Sequence, residues 1–156
     1  MKILHCCLSC FYIDGYGYQE NYLPLLNQKD GHDVMIIAST ETYSNGKLSY
    51  LNPSSYFTET GIPVVRLPYS RIFPHVVSKK VRHYIGLIDA IENFSPDVIL
   101  FHGICAYDIS IVADYKRSHP NIKLYVDSHT NLFGSVRNCL SRNILHRLFY
   151  KYCYQK

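Results

Sequence analysis

Three short stretches of this chain carry residue types that could do chemistry, and each follows directly on an apolar run. Gly15-Tyr16-Gly17 comes after Ile3 to Leu8, His102-Gly103 after Val98 to Phe101, and Asp127-Ser128-His129 after Ile122 to Val126. Paired glycines permit positive φ and let a ligand come close to the backbone. Histidine changes charge near neutral pH and so serves proton transfer or substrate contact. None of these groups follows from helix or strand patterning, and the ends of strands are where sites of α/β proteins are found.

Several chemistries are excluded by spacing. A dinucleotide fingerprint would need a third glycine at position 20, where Glu20 stands, and no Gly-Lys-Ser/Thr follows the loop as a phosphate loop requires. A nicotinamide-dependent redox enzyme is therefore disfavoured. A Ser-His-Asp hydrolase lacks its G-x-S-x-G elbow. Cys7-Leu8-Ser9-Cys10 has C-x-x-C spacing. A structural zinc site needs a second ligand pair, for which His102 and Cys105 on another strand end are the best available. A thioredoxin-like pair belongs at a helix start, whereas here Phe11 to Gly17 intervenes. The six cysteines read as reduced, buried thiols, with no metal and no bound cofactor expected.

The elements that must hold these groups alternate along the chain. With 156 residues, 47% of them hydrophobic, the chain is long enough for one domain with a core. Lys2 to Ser39 reads as strand, glycine loop, helix, glycine stop at Gly31 and second strand. In the helix, Tyr18 to Asp30, the apolar face would be Tyr22, Leu23, Leu25 and Leu26. Pro24 is easiest to accept if the regular helix begins near Asn21, within whose first turn it would fall. Thr40 to Gly61 is polar and tyrosine-rich, either a functional loop or a surface loop with a small hairpin. Ile62 to Leu67 is a third strand. From Arg66 to His83 there is no acidic residue, while Arg66, Arg71, Lys79, Lys80 and Arg82 are basic, which reads as a solvated face or as an electropositive rim for phosphate or anionic lipid. Lys79 to Phe94 is expected as one helix. Val98 to Phe101 is a fourth strand, Asp108 to His119 a helix, Ile122 to Val126 a fifth strand, and Asn138 to Tyr154 a last helix, either an ordinary core-packing one or a basic amphipathic surface for anionic lipid. This order gives an α/β, Rossmann-like, doubly wound parallel sheet.

No apolar run approaches the ~20 residues of a membrane span, and no signal-peptide apolar region precedes the first strand. The expectation is a cytoplasmic protein, with peripheral contact at the membrane face through its basic stretches. The net charge of +4 suits anionic ligands without pointing to nucleic acid as a partner.

The start KILHCC, the glycine loop before an acidic helix start (Gly15 to Asn21), Gly31-His32-Asp33-Val34, SPDVILFHG and YVDSH occur in an order that resembles the amino-terminal domain of the retaining family-four glycosyltransferases of the GT-B fold. The resemblance covers nearly the whole chain. It implies two Rossmann-like domains facing a cleft, of which residues 1–156 are the first, acceptor-side domain without its last strand and without the donor-binding domain. It implies a nucleotide-sugar co-substrate and a glycan or lipid-linked acceptor. His129 would be the catalytic histidine at the transferred sugar, Gly15, Tyr16 and Gly17 would lie against the donor diphosphate, and His102, Gly103 and Asp127 would shape the acceptor side. The isolated chain would be inactive and would need a donor-domain partner. A reading from a different class is a non-catalytic Rossmann-like module that binds a nucleotide or a protein.

Overall fold

The computed structural model describes residues 1–44, 46–72 and 74–128. In chain order the elements are β1 (Lys2–Cys7), α1 (Gln19–Lys29), β2 (Asp33–Ser39), β3 (Glu41–Ser44), β4 (Lys47–Tyr50), β5 (Ser54–Phe57), β6 (Pro63–Leu67), α2 (His75–Val81), α3 (Leu87–Phe94), β7 (Val98–Phe101), α4 (Asp108–Ser118) and β8 (Lys123–Val126). The helix expected at Asn138 to Tyr154 lies outside the described residues.

Six strands form one sheet in the order β5-β6-β2-β1-β7-β8. All neighbours are parallel except β5, which pairs antiparallel with β6 at the edge. The sheet grows one way from β1 through β2 to β6, then returns to the other side of β1 for β7 and β8. That reversal is the topological switch, and it falls between β1 and β7. The expected α/β, doubly wound architecture is the one observed.

Alternation along β1 divides the core. Leu4, Cys6 and Leu8 point to the face covered by α3 and α4, where Leu87, Ile91, Ile109 and Val112 meet Ile99 and Phe101. Cys7 points to the other face with Val34, Ile36, Ala38, Ile62 and Val64, closed by Tyr12. Near-continuous apolar runs in β1 and β2 are what two-sided burial demands.

The structure corrects four expectations. First, α1 starts at Gln19, so Pro24 lies past the first turn, and it is buried against the sheet. Burial offsets the missing N–H there, while Tyr22 and Leu26, expected on the core face, are 57% and 50% exposed. Second, Lys79 to Phe94 is two helices. Arg82 and Gly86 take positive φ between them, because the backbone of this segment is bonded elsewhere. Ser70 donates to the His83 carbonyl, Ile85 donates to the Pro68 carbonyl, and Tyr84 donates to Asp108. Third, Thr40 to Gly61 is more than a loop with a hairpin. After the β3–β4 hairpin it supplies β5, which joins the main sheet. Fourth, Arg66 is not on a solvated face but is 2% exposed within β6.

Cys6 and Cys7 are buried thiols, and Cys10 and Cys105 are half-buried. Among the described residues no helix is long and apolar enough to cross a membrane.

Ile91 on α3 is fully enclosed by the sheet. Ile91→Ala should lower the unfolding free energy by about 3 kcal/mol, the usual range for such a deletion, read from urea denaturation.

Candidate functional site at the sheet switch point

The carboxyl ends of β1 and β7 abut at the switch. Gly103 has φ +82, and a Cβ placed on it would sit 2.9 Å from the Ser9 Cβ. Only glycine fits this joint. It leaves the Gly103 N–H aimed at the Asp127 carboxylate, which accepts from it at 2.7 Å. Asp127 accepts two further hydrogen bonds, from His102 Nδ1 at 2.9 Å and from the Gln19 amide at 3.2 Å. The aspartate after β8 is thus tied to the end of β7 and to the first residue of α1.

Beneath Asp127 a polar line crosses the sheet on the α1 face. His102 and His5 are both fully buried. Their rings lie nearly coplanar, 16° apart in tilt, with His5 Nδ1 3.0 Å from His102 Nε2. The Asn27 amide nitrogen lies 3.0 Å from His5 Nε2. The partners fix the tautomers. The Asn27 N–H donates to His5 Nε2, so His5 carries its proton on Nδ1 and donates to His102 Nε2. His102 then carries its own on Nδ1 and donates to Asp127. The hydrogen bonds run in one direction from α1 to the sheet edge, with the His5 imidazole neutral. Burial, helped by the neighbouring His102, pushes the His5 imidazole down to about 3.

A second constellation holds the glycine loop. Arg66 is inside the domain and uses all five of its N–H donors. Nε donates to the Tyr56 hydroxyl, Nη1 to the carbonyls of Tyr12 and Ser39, and Nη2 to the Tyr12 carbonyl and the Asp14 carboxylate. The Arg66–Asp14 ion pair spans 3.0 Å, with side chains 1% and 47% exposed. Tyr56 also donates to Asp14 at 2.7 Å. The loop after β1 is thereby anchored to β2, β5 and β6, with Gly15 at φ +76 as its turn. Between the loop, α1 and the β5–β6 turn opens a cleft of about 440 Å³.

A third buried polar group stands at the end of β2. The Glu41 side chain is 4% exposed, 3.7 Å from Arg82. Tyr69 and Tyr84 stack beside it with ring centroids 4.7 Å apart, and Tyr84 donates to the Leu8 carbonyl.

The structure separates the expected site residues into two groups. His102, Gly103 and Asp127 come together at the switch point. Gly15, Tyr16 and Gly17 line the 440 Å³ cleft on the far side of the α1 start, whose lining includes none of the first group. Gln19 joins the two. His129 lies outside the described residues. His102 is buried under Asp127, so it reaches the sheet edge through that carboxylate. Sequence reasoning missed His5, Gln19 and Asn27, and it misread Arg66. Signals existed for two of them: His5 interrupts a run buried on both faces, and Arg66 interrupts one nearly as apolar. A polar group in such a position has to be bonded internally.

No protein-family model matches the chain, and no curated protein sequence matches it. Among solved structures the chain is similar to a sucrose-phosphate synthase from Thermosynechococcus elongatus, at TM-score 0.56 and 13% sequence identity. The match covers 96% of this chain and 39% of that one, so the chain spans well under half of that structure. At this identity the likeness is one of fold, a GT-B-like Rossmann domain, and it does not single out family four.

Two measurements test this geometry. Gly103→Ala should lower stability by about 2 kcal/mol, because it adds backbone strain and a clash with Ser9. His5 binds a proton more readily unfolded (near 6.5) than folded (about 3). Stability should therefore fall as the pH drops through that window, by up to about 1.4 kcal/mol per pH unit. The His5 ring-nitrogen shifts should stay those of a neutral imidazole near pH 5, where an exposed histidine is charged. Titration of His5 near its unfolded value would refute the buried line.

Proposed function

We propose that residues 1–156 form the acceptor-side half of a sugar transferase, which acts with a donor-binding domain on a nucleotide sugar and a glycan or lipid-linked acceptor. The observation that carries this reading is the Asp127 carboxylate at the switch point. It is held by the Gly103 N–H, His102 and Gln19 at the place where α/β sheets bind their ligands. The GT-B-like fold supports it.

In this reading Asp127 and the backbone at Gly103 receive the acceptor. His102 is a positioning residue, keeping Asp127 in place from below. His129, two residues on in sequence, contacts the sugar being transferred. Backbone N–H groups of Gly15, Tyr16 and Gly17 face the donor diphosphate across the interdomain cleft, next to the positive end of α1. The cation that must balance the diphosphate charge comes from the donor domain. Transfer requires donor and acceptor to be held together away from water, so residues 1–156 alone are inactive.

Peripheral membrane contact is part of the same proposal. Ile72, Val76 and Val77 are 74%, 60% and 41% exposed, beside Arg71, Lys79 and Lys80. Apolar side chains ringed by basic ones suit an anionic lipid surface, each basic residue adding about 1 kcal/mol.

The purified chain should neither turn over nor tightly bind UDP-, ADP- or GDP-sugars. Adding a donor-domain chain should produce transfer, which Asp127→Ala should reduce by at least about tenfold, the loss of one charged hydrogen bond. Tight nucleotide binding by residues 1–156 alone would instead favour a stand-alone nucleotide-binding module. Sedimentation with vesicles containing phosphatidylglycerol should recover the chain at low salt, and Lys79→Glu with Lys80→Glu should abolish that recovery.

A further inference from the structure

The cleft beside the glycine loop has side chains that the transfer reading, which uses only the backbone N–H groups of Gly15 to Gly17, leaves unused. Its floor is Ile36 and Leu25, and Ile62 closes the β6 end. Its rim carries the Tyr16 and Tyr22 rings, 46% and 57% exposed. The Tyr22 ring lies along Gly17, with its Cε2 3.5 Å from where a Cβ would stand. Exposed aromatic rings beside a concave surface are unusual on a domain that could have buried them, and α1 turns Tyr22 outward while burying Pro24 instead.

The polar lining is one of acceptors. Asp14 and Glu59 bring carboxylates, and Thr58 and Thr60 bring the β5–β6 turn. Asn21 donates its amide N–H to the Ile13 carbonyl at 2.9 Å, which fixes its side chain. The other end of that amide, Oδ1, is buried and has no hydrogen-bond partner. That oxygen is closed off from solvent, so the acceptors a ligand in the cleft meets are the two carboxylates.

We infer that this cleft is a subsite for a neutral carbohydrate. Sugar hydroxyls donate to the two carboxylates, and the apolar face of a pyranose ring packs on Tyr22 and Tyr16. The volume of about 440 Å³ falls in the range of small-molecule sites. A phosphate-bearing ligand is opposed: among the described residues no lysine, arginine or histidine lines the cleft, and the nearby Arg66 has spent its donors on Asp14, the Tyr56 hydroxyl and the carbonyls of Tyr12 and Ser39. A simple cation is less well served than a sugar. Asp14 is already neutralised by Arg66, and among the described residues no three His, Cys, Asp or Glu side chains gather where they could hold a metal ion. Calling this ligand the extended part of an acceptor glycan rests on the transferase reading, whereas the subsite itself does not.

The test is a titration of the 156-residue chain followed by backbone amide shifts, with maltose, cellobiose, lactose and N,N′-diacetylchitobiose as probes. Inorganic pyrophosphate and choline serve as charged controls. At least one disaccharide should saturate at millimolar concentration, moving the amides of Gly15, Gly17, Asn21 and Thr58 to Thr60. Tyr22→Ala and Glu59→Gln, both exposed positions, should each weaken it about tenfold or more, and the charged controls should leave these amides in place. Silence with all four sugars, saturation by pyrophosphate or choline, or binding indifferent to Tyr22→Ala overturns the subsite. Sugar binding here without transfer on addition of a donor domain would sink the transferase reading and leave the subsite standing. Transfer without these shifts would do the reverse.

Discussion

A guanidinium enclosed in an apolar sheet has to satisfy every N–H it owns, and Arg66 does so on four residues of three different segments. Leaving the charge unpaired at 2% exposure would be prohibitive, so the loop after β1 is not free to choose its path. It must present the Tyr12 carbonyl and the Asp14 carboxylate to β6, and this sets where Gly15 turns and where α1 begins. From that start follow the contact of Gln19 with Asp127 and the seat of Asn27 over His5. The polar arrangement of the α1 face descends from this one buried cation.

The same rule explains the two histidines. Neither is solvated, and each is hydrogen-bonded at both ring nitrogens by groups of the domain itself. The result is a line of donors with a single direction, from Asn27 in the last turn of α1 to a carboxylate at the sheet edge. Asp127 is consequently located from below, from the side and by the backbone of the next strand. In the proposed function, a ligand at the switch point would meet an oriented acceptor rather than a mobile one, which is the form of preorganisation that binding and transfer sites use.

Much of the framework was legible in the sequence. The run from Lys2 to Ser39 announced its strand, glycine loop, helix and strand, because two-sided burial and a glycine stop leave strong local marks. Strand ends at His102 and at Asp127 were legible for the same reason. What could not be read were the places where distant segments decide local structure. Lys79 to Phe94 has an unbroken helical pattern, yet Pro68 to Ser70 and Asp108 take its backbone groups between Arg82 and Gly86. Ser54 to Phe57 has no apolar alternation strong enough to mark it as part of the main sheet. The candidate site was half legible. Its residue types were visible at strand ends, but their division between the switch point and the glycine-loop cleft depends on how β6 and β5 stand relative to α1, which spacing along the chain does not encode.

The thiols buried in β1 carry one more consequence. Burial holds the Cys6 and Cys7 sulfurs in their protonated form well above the ordinary range, so an electrophile meeting the folded molecule finds no thiolate there. Among the described residues, Cys10 and Cys105 are left as handles for alkylation. Cys10 lies next to Ser9 of the switch-point joint and Cys105 two residues past Gly103. A fluorophore attached to either would report from the mouth of the sheet, while opening of β1 would be signalled by the sudden reactivity of its neighbours.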